Sequence, residues 1–197
     1  VFLSDNGPSR ERRNWLDGTS APYYGGTAGR LKGHKFSLYE GGIRVPGIVN
    51  WPARLGGGQV CDVPVAGMDV FPALLAAAGG NPGDYELDGI DLGAVLAGAA
   101  SPPRDLFWEI GDQTAVRRGR WKLVRNGRLV EHERPPAALH LADLSADPGE
   151  TRNLADEKPE VAAELAAAAD AWRAGIEDRW QHHWAPEDTG TTGHPSR

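Results

Sequence analysis

Apolar positions fall into two regimes along this chain. In the first half they come as short clusters between Gly- and Pro-rich stretches. Val1-Phe2-Leu3 is an apolar run that stops at Ser4-Asp5-Asn6-Gly7-Pro8, the pattern of a buried strand running into a turn. Residues 9–34 are polar, Gly-rich and without periodicity, which predicts a long surface excursion. Between Gly42 and Trp51, the residues Ile43, Val45, Ile48 and Val49 predict a second strand, kept short or irregular by Pro46 and closed by Pro52. Met68 to Ala78 reads as a helix, with Asp69 as N-cap, Pro72 in the first turn and Gly79-Gly80 at its end. A shorter helix is expected over Asp91 to Ala97, stopped by Gly98.

Residues 99–105 (Ala-Ala-Ser-Pro-Pro-Arg-Asp) read as a linker, and beyond them the pattern changes. Leu106–Ile110, Thr114–Arg118, Trp121–Arg125 and Ala138–Leu144 are short strand-like runs, with Arg118-Gly119-Arg120 and Asn126-Gly127 as the clearest hairpin signals. Pro159 opens a helix whose apolar residues Val161, Leu165, Ala168, Trp172 and Ile176 form one stripe, available to cover a small antiparallel sheet. The polar tail from 185 to 197 is expected to be disordered. The predicted organisation is the edge of an α/β domain over 1–98, a linker over 99–105, a small α+β subdomain over 106–184 and the tail.

Composition narrows the reading only a little. With 40% apolar residues and seven Trp among 197 positions, a core can form. A net charge of −6, acids and bases interspersed, speaks against a nucleic-acid-binding surface but says nothing of small anionic substrates, which respond to the local field. The single Cys61 forms no intrachain disulfide, and no apolar run approaches the roughly 20 residues that span a bilayer. Opening on Val1-Phe2-Leu3 without Met, the sequence reads as a fragment or a truncated gene product, so the missing leader leaves the compartment open: cytoplasm, periplasm and secretion all fit. Oligomeric state is equally open.

Candidate chemistry sits in two segments. Adjacent Asp5 and Asn6 at a strand exit offer a carboxylate and an amide oxygen, the donors a hard cation such as calcium takes, in the crevice where open α/β sheets place ligands. Standing alone, the same residues read as an Asx turn. Lys is scarce, at 32, 35, 122 and 158 only, and two of the four flank Gly33-His34. Lys35 suits an oxyanion of sulfate or phosphate as a fixed point charge, with Gly33, Gly41 and Gly42 expected to let backbone approach the ligand. Lys32 is expected to be solvent-exposed.

The order and spacing of Ser4-Asp5-Asn6-Gly7 and of Leu31-Lys32-Gly33-His34-Lys35-Phe36-Ser37-Leu38-Tyr39-Glu40-Gly41-Gly42-Ile43-Arg44-Val45-Pro46 resemble the C-terminal half of the sulfatase family, in the alkaline-phosphatase superfamily. Trp51-Pro52, Met68-Asp69-Val70-Phe71-Pro72, Leu87-Asp88-Gly89-Ile90-Asp91-Leu92, Arg118-Gly119-Arg120-Trp121-Lys122-Leu123 and Leu141 to Leu154 extend the resemblance to about residue 180. It implies the C-terminal part of an alkaline-phosphatase-like α/β domain, followed by a small antiparallel sheet packed on a long C-terminal helix. It also implies that Asp5 and Asn6 are calcium (Ca2+) ligands, and that Lys35, which takes the lysine position of the family's Leu-Arg-Gly-Gly-Lys-Gly segment, contacts the sulfate group as catalytic and substrate-binding residue. The implied reaction is calcium-dependent hydrolysis of a small-molecule or glycan sulfate ester.

Two departures stand out. His34 occupies a usual glycine position and is expected to be exposed. The family's nucleophile, a formylglycine made from Cys or Ser in Cys/Ser-x-Pro-x-Arg, has no counterpart: Cys61 lies in Val60-Cys61-Asp62-Val63-Pro64-Val65 and reads as an ordinary small residue. The nucleophile is therefore expected outside this chain, which should be inactive alone. Rival readings are a phosphonate or phosphate ester hydrolase of the same superfamily and a non-catalytic binding module. Glu40 and Arg44 are expected to fix the Lys35 loop, His132 and His140 to be solvated or packed, and His182-His183 to be a surface pair.

Overall fold

Residues 1–11 and 23–183 are described in the computed structural model. The centre of the excursion over 9–34 and the expected disordered tail at 185–197 lie outside them. The elements are β1 (Phe2–Leu3), β2 (Arg10–Glu11), β3 (Tyr23–Tyr24), α1 (Glu40–Ile43), β4 (Gly47–Ile48), α2 (Val70–Ala77), α3 (Gly93–Leu96), β5 (Asp105–Ile110), β6 (Gln113–Arg118), β7 (Trp121–Arg125), β8 (Leu139–Asp143) and α4 (Pro159–His183).

Strands β5 to β8 form an antiparallel meander in chain order. Two-residue loops close its first two corners, since Ile110 pairs with Gln113 and Arg118 with Trp121. Gly111 (φ +60°) and Gly119 (φ +56°) lead those loops, the position at which a type II′ hairpin turn requires a left-handed backbone. The Asn126-Gly127 signal does not make a third tight hairpin. Arg125 pairs with Leu139, so residues 126–138 form a long connection. A Cβ on Gly127 would lie 2.6 Å from a Val124 methyl carbon and 2.8 Å from the Tyr39 ring, so this glycine serves a close crossing rather than a turn.

Alternation along the strands sorts side chains to two buried faces. Val116, Leu123 and Leu141 pack with Ala162, Leu165 and Ala169 of α4, and Phe107, Trp121 and Val161 border them. Phe107 stacks on Trp172 with ring centroids 5.0 Å apart. The neighbouring positions Ala115 and Val124 turn the other way and pack with Leu38 and Tyr39 of the segment before α1. The sheet is thus sandwiched between the C-terminal helix and the lysine-bearing loop, which explains why β7 and β8 carry nearly continuous buried runs. Ile176, expected on the helix stripe, is exposed, one turn beyond the last residue seated on the sheet.

The first half departs more from expectation. Phe2 and Leu3 are exposed, and among the described residues β1 pairs only with β4 (Phe2 with Ile48, Leu3 with Gly47). The strand expected over 42–51 shrinks to those two residues, because Glu40–Ile43 is a buried helical turn. Helix α2 forms over Val70–Ala77, but the Asp69 side chain does not cap it, being committed to Ala66, Ile90 and Arg104; the shorter helix covers only Gly93–Leu96. Arg104, in the expected linker, is tied to Asp69, and Asp105 already opens β5.

Candidate active site

The turn after β1 and the lysine loop are joined backbone to backbone. Gly7 N donates to Gly42 O (2.8 Å), Lys35 N to Pro8 O (2.9 Å) and Gly41 N to Lys32 O (2.7 Å). Glycine is required at these crossings. A Cβ on Gly7 would sit 1.9 Å from Gly41 O, and one on Gly42 would sit 2.1 Å from Ser37 O. These glycines therefore pack backbone against backbone, a different use from the ligand approach their sequence suggests.

This junction gathers the three predicted site residues. Asp5, Asn6 and Lys35 line one cleft of about 720 Å³, together with Ser4, Thr27 and Arg44. Lys35 and Phe36 are the central residues of a tight turn in which Ser37 N donates to His34 O at 2.9 Å. Phe36 has φ +70° and Lys35 does not share the left-handed region, which makes this a type II turn with an aromatic residue at the usual glycine position. The ammonium of Lys35 lies 5.4 Å from the Phe36 ring centroid.

Asp5 is exposed, and its Oδ1 accepts from Asn6 N at 2.9 Å. The Asn6 amide nitrogen donates to Gly7 O at 2.9 Å, which commits the nitrogen to the protein and gives the amide oxygen to the cleft side chemistry as an acceptor. Both bonds reach only the next residue, and Gly7 N is given to Gly42 O, so Asp5 closes no Asx turn here. Among the described residues no three His, Cys, Asp or Glu side chains gather at metal spacing. Calcium takes six to eight oxygen ligands, so Asp5 and Asn6 fit as part of a ligand set.

A charged cluster that sequence reading did not anticipate supports the lysine loop from below. Lys122 Nζ lies 2.9 Å from Glu40 Oε1 and 3.2 Å from Glu150 Oε1, with all three side chains buried. Glu150 Oε2 accepts from Glu40 N at 2.6 Å, and Arg117 stands 3.7 Å from Glu40 Oε2. Arg117 and Lys122 are paired directly across β6 and β7. Like charges in that relation repel, and Glu40 resolves the conflict by inserting a carboxylate from the loop. Burial pushes the Glu150 carboxyl up, against the pull of Lys122 and the Glu40 amide. Glu150 also has φ +51°.

Several expectations need correction here. Lys32 is half-buried rather than exposed: it donates to Glu150 O at 3.2 Å, lies 4.4 Å from the Tyr39 ring centroid, and burial lowers its pKa. His34 is half-buried too, and burial, with the Arg10 charge nearby, lowers its pKa. His140 is fully packed, edge-on to Tyr39 at 5.2 Å; burial and then the Lys32 charge bring its pKa down to about 4. Burial and then Glu150 push the Tyr39 hydroxyl up to about 12. Cys61 is exposed rather than packed. Glu40 does hold the Lys35 loop through buried contacts, whereas Arg44 approaches Glu40 only to 3.9 Å. His132 and His182 are exposed, as expected.

Comparison with known proteins bears on the family. Residues 1–80 match the sulfatase family model. The chain is 33% identical over 188 residues to arylsulfatase A of Bos taurus, covering 85% of this chain and 35% of that protein. It is 33% identical over 215 residues to the steryl-sulfatase of Mus musculus, covering 89% and 32%. Among solved structures, one from a glycosaminoglycan-metabolism locus of Bacteroides thetaiotaomicron superposes with a TM-score of 0.68 at 27% identity, covering 88% of this chain and 38% of that one. The PsFucS1 sulfatase from Pseudoalteromonas shares the fold at a TM-score of 0.67 and 24% identity, covering 89% and 36%. The chain spans about a third of the length of the curated relatives it matches. Residues 1–80 thus carry a sulfatase family domain, and the chain matches the C-terminal portion of arylsulfatases and steryl-sulfatases, with their alkaline-phosphatase-like α/β fold.

Proposed function

We propose that the protein hydrolyses sulfate esters, small-molecule or glycan, and that this chain supplies one wall of its active site. The observation that carries the reading is the convergence of Asp5, Asn6 and Lys35 on one cleft through direct backbone bonding between two segments 25 residues or more apart in sequence. Lys35 holds a fixed positive charge for an unesterified sulfate oxygen and for charge developing there in the transition state. The buried Glu40–Lys122–Glu150 cluster fixes the loop that carries it, so that little reorganisation is needed when the anion arrives.

Asp5 and Asn6 would contribute the carboxylate and amide oxygens of a calcium shell. Bound there, calcium would supply Lewis-acid neutralisation of the ester oxygens. The 197 residues contain no Cys/Ser-x-Pro-x-Arg segment, so the formylglycine nucleophile would come from outside this sequence.

An aryl-sulfate assay of the full-length protein, with and without calcium, tests the reading. Calcium-dependent sulfate release that falls roughly 10²–10³-fold in Lys35→Ala supports it. Wild-type rates in Lys35→Ala refute the role of the lysine. Turnover of phosphonate or phosphate esters without sulfate ester turnover would assign the site to those oxyanions instead.

A further inference from the structure

Glu150, in the buried cluster beneath the lysine loop, reaches that loop at two places. Its backbone carbonyl accepts from Lys32 Nζ at 3.2 Å, and its carboxylate Oε2 accepts from Glu40 N at 2.6 Å. The first contact lies upstream of Lys35 and the second downstream. One residue beyond the C-terminal sheet thus grips the loop on both sides of the lysine, with residues 33–39 as the span between the grips.

Local structure sets the residue up for this. Glu150 N donates to Asp147 O at 3.1 Å and closes a turn, while Thr151 Oγ1 and Arg152 N both donate to Asp147 Oδ2, at 3.0 and 2.9 Å. Glu150 leaves the turn with φ +51°, a left-handed backbone that costs a residue other than glycine about 1 kcal/mol or more. The side chain so directed is a carboxylate with no exposed surface. The turn also presses on the loop directly, since a Cβ on Gly149 would stand 2.9 Å from Arg30 O. Strained backbone and buried charge are each unfavourable alone, and what they share here is the hold on the lysine loop.

A cation already fixed in place serves an anion better than a mobile one, because its ordering precedes the ligand. We propose that Glu150 is a positioning residue for the sulfate contact, holding Lys35 in the cleft by clamping its loop on both sides. This deepens the sulfate-ester reading and rests on Lys35 as the anion contact.

Charge and position predict opposite signs, which supplies the test. Lys32→Met removes a positive charge near the cleft and Glu150→Gly a negative one, so electrostatics alone weakens sulfate in the first and tightens it in the second. Loss of positioning weakens it in both. Glycine suits the left-handed backbone at 150, and methionine keeps an unbranched apolar chain against the Tyr39 ring. In the full-length protein each variant is expected to weaken inorganic sulfate roughly three- to tenfold and to speed amide hydrogen exchange across residues 34–40. Asn153→Ala is the control: its side chain bonds Leu139 O and the Leu141 and Ala155 amides, so it loosens the neighbouring chain without touching the loop, and sulfate affinity should hold.

Unchanged or tighter sulfate binding in Glu150→Gly overturns the proposal. So does unchanged exchange over 34–40 in Lys32→Met, a readout that decides even where Glu150→Gly does not fold. Equal weakening in Asn153→Ala would reduce Glu150 to general stability and overturn it as well. Failure of the underlying reading looks different: Lys35→Ala would bind sulfate as well as the unaltered protein, while the two clamp variants still loosen 34–40.

Discussion

Lys122 Nζ lies 2.9 Å from Glu40 Oε1, although the two residues are 82 positions apart and both are buried. The contact joins the loop that carries Lys35 to the middle of the C-terminal sheet. Its worth is asymmetric. Replacing an entire buried ion pair by apolar groups is often neutral, but removing one partner leaves uncompensated charge in a low dielectric. Here one ammonium serves two carboxylates, since Glu150 shares it at 3.2 Å.

Lys122→Met is therefore expected to destabilise the chain by about 3–5 kcal/mol in urea unfolding. The double variant Lys122→Met/Glu40→Gln should recover part of that loss, giving a clear coupling energy. Glu157→Gln, which breaks the exposed pair with Arg152, is the control and should cost no more than about 1 kcal/mol. Equal costs for the two single variants would mean that the cluster is not a buried strut.

The join between the two site segments predicts a sharp contrast among glycines. Gly7→Ala places a methyl where Gly41 O already sits, so one backbone must move, at a cost of at least about 1–3 kcal/mol. Gly57→Ala meets nothing within 4 Å and should be close to neutral. Hydrogen exchange should show faster exchange at the Gly7 and Lys35 amides in Gly7→Ala, because those two donors cross the junction.

How much of this was legible in sequence follows from where each signal lives. The four strands and α4 were readable because alternation, Gly turns and the apolar stripe are local patterns. Asp5, Asn6 and Lys35, which line one cleft, stand out in sequence because Asp5-Asn6-Gly7 and the Lys35 segment have recognisable order. The strut was not, because a lysine between Trp121 and Leu123 reads as a solvated strand position until a loop 82 residues away supplies its carboxylate. Asn126-Gly127 misled for a similar reason: its glycine answers to the Tyr39 ring, which no window around residue 126 contains. Lys32 and His34 depart from expectation in the same way, since polarity predicts exposure whereas Glu150 and Tyr39 flank Lys32 and the 126–138 connection reaches His34 at Leu129.

His140 predicts a pH dependence with a definite sign. Its pKa drops from 6.5 to about 4 in the folded protein, so between those values the unfolded chain binds more protons and stability falls as pH is lowered. The folded-state preference for neutral imidazole is complete above the unfolded pKa and amounts to roughly 3 kcal/mol at most. His34, also lowered, acts in the same direction. Glu150 opposes them, because a raised carboxyl gains stability as pH falls through its folded pKa. Urea midpoints measured from pH 7 to pH 4.5 should decline, and His140→Gln should flatten that decline. An unchanged slope in His140→Gln would assign the titration to other groups.

Asp69 stands at the N-cap position of α2 without capping it. Its position before α2 predicts an N-cap, whose removal costs about 0.5–2 kcal/mol. In the fold its buried carboxylate accepts from Ala66 N at 2.7 Å and Ile90 N at 3.0 Å and meets both terminal nitrogens of Arg104. Burial alone would raise its pKa, but these hydrogen bonds, led by Arg104, hold it below the usual carboxylate value. That stabilisation is present above the unfolded pKa of Asp and is lost as pH falls through the depressed folded one. Asp69→Ala strands two amides and a guanidinium at once, so the expected loss is about 3–5 kcal/mol, beyond the range of a cap alone. Arg104→Ala should couple strongly to it in a double-mutant cycle, since the bidentate pair is the bond that fastens the segment before β5 to the start of α2. Additive losses from the two substitutions would mean that the Asp69–Arg104 pair does not fasten the two segments together.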